Sequence, residues 1–262
     1  MAWTYSALEK AEYSTMEGAK KTMSRLEPNG SSRYDLFDPI IQCPSGGLQR
    51  IGSSGEGGKF LCMETIAETP NCVVYSIGSN GQFDFEASIL SSTNCSVHTF
   101  DCTYNGSSIN NERHSYHKIC VGRSTETRSS ATGSLQFMSL ADITQMLGHS
   151  KVDLLKMDIE GFEYEVMSGL DLKSSCAFPM QISMEVHYHS LYLFTSFHNK
   201  PQYWDNMVWT MHQLSLAELA VFFQHIANLG YAIVSRDDNP LGRGCCSEFT
   251  FLRVEWPARC NS

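Results

Sequence analysis

The sequence predicts an α/β fold, a mostly parallel central sheet with helices on both faces and an antiparallel edge strand. Three observations predict it. Short apolar, β-rich runs alternate with amphipathic stretches across residues 72 to 254, the pattern of strands joined by covering helices. The run Val152 to Met157 (V-D-L-L-K-M) is largely apolar and stops at Asp158, as a strand covered on both faces does. The last run, Glu248 to Val254, alternates polar and apolar residues and reads as an antiparallel edge.

In chain order, Tyr5 to Leu26 has a loose helical pattern closed by Pro28-Asn29-Gly30. Asp35 to Lys59 is rich in turn residues, with Pro39, Pro44 and a Gly/Ser run from Gly52 to Gly58. Its Leu36, Phe37, Ile40, Ile41 and Leu48 give it a face to bury. The expected organisation is an N-terminal helical and loop extension, residues 1–60, followed by the main domain, residues 61–262. In that domain Cys72 to Ile77 is the first strand, Phe83 to Leu90 a helix and Val97 to Phe100 the second strand, ending at Asp101. Lys118 to Val121 is a third strand ending at Gly122, Leu140 to Leu147 a helix, and Val152 to Met157 the fourth strand. Phe162 to Leu170 is a helix whose Glu163 and Glu165 are expected on a solvated face. Gln181 to Val186 is the fifth strand, Leu216 to Leu229 a helix stopped by Gly230, and Tyr231 to Val234 the sixth strand.

Composition narrows the function. A net charge of −9 with no Lys/Arg cluster argues against nucleic acid as a bulk partner, which calls for a basic face. No run approaches the roughly 20 apolar residues of a membrane-spanning helix, so no transmembrane segment is expected. The first twenty residues carry Glu9, Lys10, Glu12 and Glu17 and lack a signal-peptide core. That favours the cytoplasm, with a secretory-pathway lumen as the alternative if the chain is a fragment of a longer precursor. The ten cysteines form no C-x-x-C pair, so no metal site emerges from their spacing. Cys72 and Cys120, inside strand-like runs, read as buried thiols. Cys43 and Cys62 can bridge in an oxidising lumen, and the sequons at Asn29, Asn94 and Asn105 are compatible with that setting.

Chemistry concentrates at the strand ends. Ser76-Ile77-Gly78-Ser79-Asn80-Gly81 ends a strand in G-x-x-G and leads into a helix, letting the backbone approach a ligand closely. It is neither G-x-G-x-x-G nor a P-loop, which disfavours a pyrophosphate. About twenty residues later Asp101 closes the second strand, where a carboxylate can accept the hydroxyl hydrogens of a ribose. An Asx turn or a helix N-cap is the competing reading. A glycine loop and a ribose acid without a phosphate cradle point to a nucleoside, S-adenosylmethionine being the leading candidate.

At these residues the chain resembles the FkbM-type, S-adenosylmethionine-dependent methyltransferases, and in particular their eukaryotic methyltransferase-like branch. The resemblance is carried by V-D-L-L-K-M-D-I-E-G-F-E-Y-E-V-M (Val152 to Met167), Y-S-I-G-S-N-G (Tyr75 to Gly81) and V-H-T-F-D (Val97 to Asp101). G-E-G-G-K-F-L-C (Gly55 to Cys62) looks like the segment preceding the fold in that branch, and the resemblance spans about Asp35 to Val254. It implies a Rossmann-like methyltransferase fold. The expected cofactor lining is Ser76, Gly78, Ser79, Asn80, Gly81, Phe83, Asp101, Cys102, Gly122 and Asp158. Two residues depart from the pattern: Ser76 replaces an acid two residues before the first glycine, and Asn80 replaces a small or apolar loop residue.

Methyl transfer is an in-line displacement, so the protein chiefly positions donor and acceptor, and a base removes the proton of a hydroxyl acceptor. Asp158 is expected near the methionine end of the cofactor, His187 as base, and Glu185 beside it on the same strand face. Glu160 reads as a helix cap or support. A divalent metal on Asp158, Glu160, Glu185, His187 and His189 is the less favoured alternative. The aromatic insertion Ser190 to Leu214 reads either as an acceptor pocket or lid, or as a packing flap. The acceptor is expected to be a small-molecule or glycan hydroxyl. Two competing functions are a scaffold that kept the fold without the chemistry and an NAD-dependent oxidoreductase, the latter weakened by the missing G-x-G-x-x-G.

Overall fold

The computed structural model describes residues 32–44, 47–55, 57–130, 133–170, 178–187, 214–239 and 246–254. The expected helix Tyr5 to Leu26, the insertion Ser190 to Leu214 apart from Leu214 itself, and His189 lie outside the described residues. The strands are β1 (Leu48–Ile51), β2 (Lys59–Cys62), β3 (Val73–Ile77), β4 (Ser96–Phe100), β5 (His114–His117) and β6 (Cys120–Gly122). They continue as β7 (Glu126–Ser130), β8 (Gly133–Ser139), β9 (Leu154–Met157), β10 (Gln181–His187), β11 (Tyr231–Asp238) and β12 (Cys246–Arg253). The α-helices are α1 (Asp84–Ser92), α2 (Leu140–Leu147), α3 (Glu163–Ser168) and α4 (Leu216–Asn228).

Seven strands form the central Rossmann-like sheet in the order β11-β12-β10-β9-β3-β4-β5. β5, β4, β3, β9 and β10 run parallel, and β12 is antiparallel to both β10 and β11. From β3 the chain builds outward through β4 and β5, then returns to add β9 on the other side. The carboxyl ends of β3 and β9 are therefore a topological switch point, where open α/β sheets bind ligands.

Both faces of the sheet are covered, as continuous apolar strands require. Phe85, Ile89 and Leu90 of α1 pack with Val74, Val97 and Leu154 on one face. On the other, Tyr75, Leu155, Met157, Ile182 and Met184 meet α2, α3 and α4 through Ile143, Val166, Leu219, Phe222 and Phe223. Burying each of these larger side chains contributes about 1.5–3 kcal/mol. Ser215 and Glu218 form a reciprocal capping box at the start of α4, and left-handed Gly148 ends α2. Tyr34 and Phe37 of the N-terminal segment are buried in the same core. Phe37 stacks on Phe223 at 4.0 Å.

Four expectations are corrected. The third strand of the sheet is His114–His117, while Cys120–Gly122 joins β7 and β8 in a separate three-stranded sheet. β12 is not an edge: its alternating polar residues are buried between β10 and β11, with Thr250 and Arg253 inside. Glu163 and Glu165 are buried rather than solvated, because α3 is covered on both sides and each carboxylate has a basic partner, His187 and Arg128 respectively. Cys72 and Cys120 are not thiols, since the chain holds Cys43–Cys62, Cys72–Cys95 and Cys102–Cys120 disulfides. Cys246 is also disulfide-bonded.

Candidate active site

Parallel pairing of Ile77 with Met157 brings Gly78 and Asp158 side by side at the switch point. A Cβ at Gly78 would lie 1.9 Å from the Asp158 carbonyl oxygen, and Gly78 has a φ of +77°. Glycine is required there on both counts. The amide of Asp158 donates to the Ile77 carbonyl at 3.0 Å, and Gly78 donates to Phe100 at 3.0 Å. Lys156 donates from Nζ to the Gly78 carbonyl. Asn80 also has left-handed φ, at 47°, which its short amide side chain tolerates.

Asp101, at the tip of β4, is buried and organises this loop. Its Oδ2 accepts from the amides of Ser79 at 3.0 Å and Asn80 at 2.7 Å, and from Ser79 Oγ at 3.4 Å. Its Oδ1 accepts from the Thr103 amide and hydroxyl at 2.9 and 2.7 Å and from the Tyr104 amide at 3.1 Å. Burial would raise its pKa, but these hydrogen bonds outweigh that and hold it below the usual carboxylate value. Its lone pairs are thus engaged within the loop as in an Asx turn, at the carboxyl end of β4.

The other expected lining residues divide. Phe83 faces His114 and Tyr116 edge-on at 5.5 and 6.3 Å. Ser76 is fully buried and donates from Oγ to Glu86 Oε1 at 2.6 Å. Its side chain therefore ties β3 to α1 and does not face an open cleft. Cys102 is joined to Cys120, so its sulfur clamps the loop after β4 and offers no thiol. Gly122 is packed against Glu165 and Phe137 in the small sheet, where a Cβ would meet both at 2.9 Å. This is a packing role.

Beside Asp158 lies a dense ionic cluster. Lys59, fully buried on β2, reaches Asp158 Oδ2 at 3.3 Å and also bonds Glu248 Oε1. Burial disfavours the ammonium, yet Asp158, Glu248 and Glu185 hold its pKa above the ordinary lysine value. Burial also opposes ionisation of Asp158, but Lys59, Lys156 and His187 keep it well below its usual range. Glu185, in register with Glu248 across β10 and β12, is pushed up to about 8 by burial and by the neighbouring Asp158 and Glu248 charges.

His187 ends β10 and is buried. Its Nδ1 meets Glu163 Oε1 at 2.8 Å, while Nε2 lies 3.4 Å from Glu160 Oε2 and 3.7 Å from Glu185 Oε2. Burial would lower its pKa, but Glu163 and Glu160 hold the imidazolium well above the usual histidine range. A ring held as imidazolium has to give up that proton before it can act as a base. Tyr164 donates to its carbonyl at 2.7 Å. Glu160 is no helix cap: α3 starts after Phe162 without a side-chain cap, and Glu160, with φ of 55°, faces His187 instead.

Asp158, Glu185 and His187 are thus brought together as expected, and the sequence reading missed Lys59, Lys156, Glu163 and Glu248. The signals were a lysine inside the buried run L-L-K-M and another opening the apolar stretch K-F-L-C. A charge in a covered strand needs a partner.

A family whose model is described as "Methyltransferase domain" matches residues 8–253. "Probable methyltransferase-like protein 24" of Homo sapiens is 29% identical over 122 residues, covering 45% of this chain and 33% of that protein. The Rattus norvegicus protein of the same name is 28% identical over 125 residues, covering 46% and 34%. The matched region spans about a third of the length of these relatives. Among solved structures, the Methanococcus jannaschii fibrillarin pre-rRNA processing protein aligns over 87% of both chains, with 10% identity and a TM-score of 0.38. A mutant of the 16S rRNA (adenine(1408)-N(1))-methyltransferase from Catenulisporales acidiphilia aligns over 80% of this chain and all of that one, with 9% identity and a TM-score of 0.39.

Proposed function

The chain belongs to the methyltransferase-domain family, and from that premise we propose that it transfers a methyl group from S-adenosylmethionine to a hydroxyl of a small molecule or glycan, as an FkbM-type enzyme. One observation carries the proposal. The switch point brings a glycine turn, a buried acid at the tip of β4 and a polar cluster at the ends of β9 and β10 to the same edge of the sheet.

The residues fit the nucleoside in kind. Ser79, Asn80 and Gly81 form a short polar turn, and Asp101 stands where a ribose acid is needed. Six protein donors already reach that carboxylate, more than its roughly four lone-pair positions. Ribose hydroxyls therefore engage it in exchange for donors from Thr103 and Tyr104, while the Ser79 and Asn80 amides keep the turn in shape. When bound, S-adenosylmethionine supplies an electrophilic methyl group on sulfur. Asp158, locked by Lys59, holds the reacting edge against Gly78. Glu185, pushed up to about 8 and so only partly ionised at neutral pH, would in its ionised form take the proton that the acceptor hydroxyl gives up on methylation. His187, fixed by Glu163, positions the carboxylates around it.

The net charge of −9 supports a small acceptor over a nucleic acid. The disulfides among the described residues support a secretory-pathway lumen over the cytoplasm. Titration calorimetry with S-adenosylmethionine, S-adenosylhomocysteine and NAD tests the cofactor. Binding of both sulfur nucleosides but not NAD is expected, and heat with NAD alone would sink the proposal. A scaffold that kept the fold would bind the nucleosides yet release no S-adenosylhomocysteine with any hydroxyl acceptor.

A further inference from the structure

We infer that the carboxyl ends of β9 and β10 form a divalent-cation site, with Asp158, Glu160 and Nε2 of His187 as its protein ligands. One donor atom from each of the three lies within 4.8 Å of the others, and Nε2 is 3.4 Å from Glu160 Oε2. Around an octahedral ion with bonds of about 2.1 Å, neighbouring ligand atoms sit about 3 Å apart and opposite ones about 4.2 Å. Nε2 and Glu160 are near the spacing of neighbouring ligands, and all three donors are close enough to converge on one ion through side-chain rotation.

The imidazole is prepared for this role independently of the acids at the opening. Glu163, whose side chain is fully buried, accepts from Nδ1 at 2.8 Å, the carboxylate–histidine support that fixes ring orientation in metal sites. It leaves Nε2 directed at Glu160 and Glu185. Two buried carboxylate oxygens at the cluster, Glu163 Oε2 and Glu248 Oε2, have no hydrogen-bond partner. Five carboxylates (Asp158, Glu160, Glu163, Glu185 and Glu248) meet two ammonium groups, Lys59 and Lys156, once the His187 ring gives up the Nε2 proton that a metal ligand cannot keep. Unpaired buried anionic atoms are costly, and a divalent ion offsets that cost.

Among the described residues, the other candidate groups are disqualified by their own chemistry. Cys43–Cys62–Glu64 and Glu185–His187–Cys246 contain disulfide-bonded cysteines, which offer no thiolate. In Asp158–Glu185–Glu248 the Lys59 ammonium bonds two of the three acids, whereas in the remaining group it bonds Asp158 alone. In the remaining group Asp158 and Glu160 are 24% and 34% exposed, leaving a solvent-facing side for water or an acceptor oxygen. Two carboxylates and one imidazole suit Mn²⁺ and its neighbours in hardness over thiophilic ions. The role in transfer, orienting and acidifying the acceptor hydroxyl, rests on the methyltransferase reading; the binding itself does not.

Calorimetry and electron paramagnetic resonance of the metal-stripped full chain with MnCl₂, without nucleoside or acceptor, test the site. One Mn²⁺ per chain is expected. His187→Gln and Glu160→Gln should each weaken binding at least tenfold, and Glu163→Gln about 10- to 100-fold, while Glu64→Gln binds like the wild type. Thermal melting without metal reports whether each variant folds, and Glu160→Gln, on a partly exposed turn, keeps the test decisive if His187→Gln does not. No stoichiometric binding at millimolar Mn²⁺, or wild-type affinity in folded Glu160→Gln, overturns the inference. Mn²⁺ binding without methyl transfer would leave the site standing and count against the proposed function alone.

Discussion

Replacing Lys59 with methionine removes the cation that joins β2 to the ends of β9 and β12. Lys59 is fully buried, while its partners Asp158 and Glu248 are 24% and 20% exposed at the side chain. Breaking a fully buried ion pair costs about 3–5 kcal/mol, because the remaining charge is stranded. Water reaches both partner carboxylates here, which lowers the expected loss to about 2–4 kcal/mol. Equilibrium unfolding in guanidinium with disulfides intact reads it. The same substitution in a Glu248→Gln background should cost about half as much, since one of the two stranded carboxylates is already neutral. A loss below about 1 kcal/mol, or an equal loss in both backgrounds, would refute the view of Lys59 as internal counter-ion of the site.

Gly78→Ala should destabilise by about 3 kcal/mol or more and abolish S-adenosylhomocysteine binding, since its Cβ would strike the Asp158 carbonyl at 1.9 Å; wild-type melting and affinity would contradict the close approach. Acid should weaken the fold through the cluster of His98, His114, His117 and His149 against Tyr75, in which His98 Nδ1 lies 3.1 Å from His117 Nε2 and the Tyr75 hydroxyl 2.8 Å from His149 Nδ1. Burial, then the neighbouring histidines, lowers His98 to about 4 from 6.5, and burial lowers the other three as well. The unfolded chain thus binds more protons in this window, so the contribution is complete above pH 6.5 and lost as pH falls toward 4. Denaturation midpoints between about pH 7 and about pH 4.5 should fall less steeply for His98→Gln than for the wild type, and parallel profiles would rule the cluster out as an acid-sensitive element. Replacing Cys102 and Cys120 together by serine opens an 18-residue separation, worth about 3 kcal/mol in chain entropy. It should also weaken nucleoside binding by freeing the loop that Asp101 holds, and unchanged affinity would separate the disulfide from the site.

The central sheet was legible because its strands obey one rule: a run such as L-L-K-M, apolar around a single charge, is tolerated only when covered on both faces. Leu140–Leu147 agreed residue for residue, its cap and its left-handed glycine both visible in S-L-A-D and L-G-H. β12 reads as an edge in the sequence because E-F-T-F-L-R alternates like a half-solvated strand. Its polar side chains instead face buried partners, Glu248 on Lys59 and Thr250 on the Phe60 carbonyl. Glu163 and Glu165 look like a solvated stripe in one dimension, since their bases, His187 and Arg128, lie 24 and 37 residues away. The site followed the same division. Gly78, Asp101 and Asp158 end strands and announce themselves locally, whereas Lys59 and Glu248 matter only through a pairing 189 residues apart. Disulfide partners are equally silent in spacing, so Cys72 and Cys120 looked like ordinary core thiols.

A crystal structure of the full chain with S-adenosylhomocysteine tests the nucleoside site most directly. The nucleoside is expected along the carboxyl ends of β3 and β4, its ribose hydroxyls on Asp101 in exchange for the Thr103 or Tyr104 donors, and its sulfur beside Asp158. A nucleoside bound away from the Gly78–Gly81 turn, with the Asp101 hydrogen bonds unaltered, would contradict that placement and the function proposed from it.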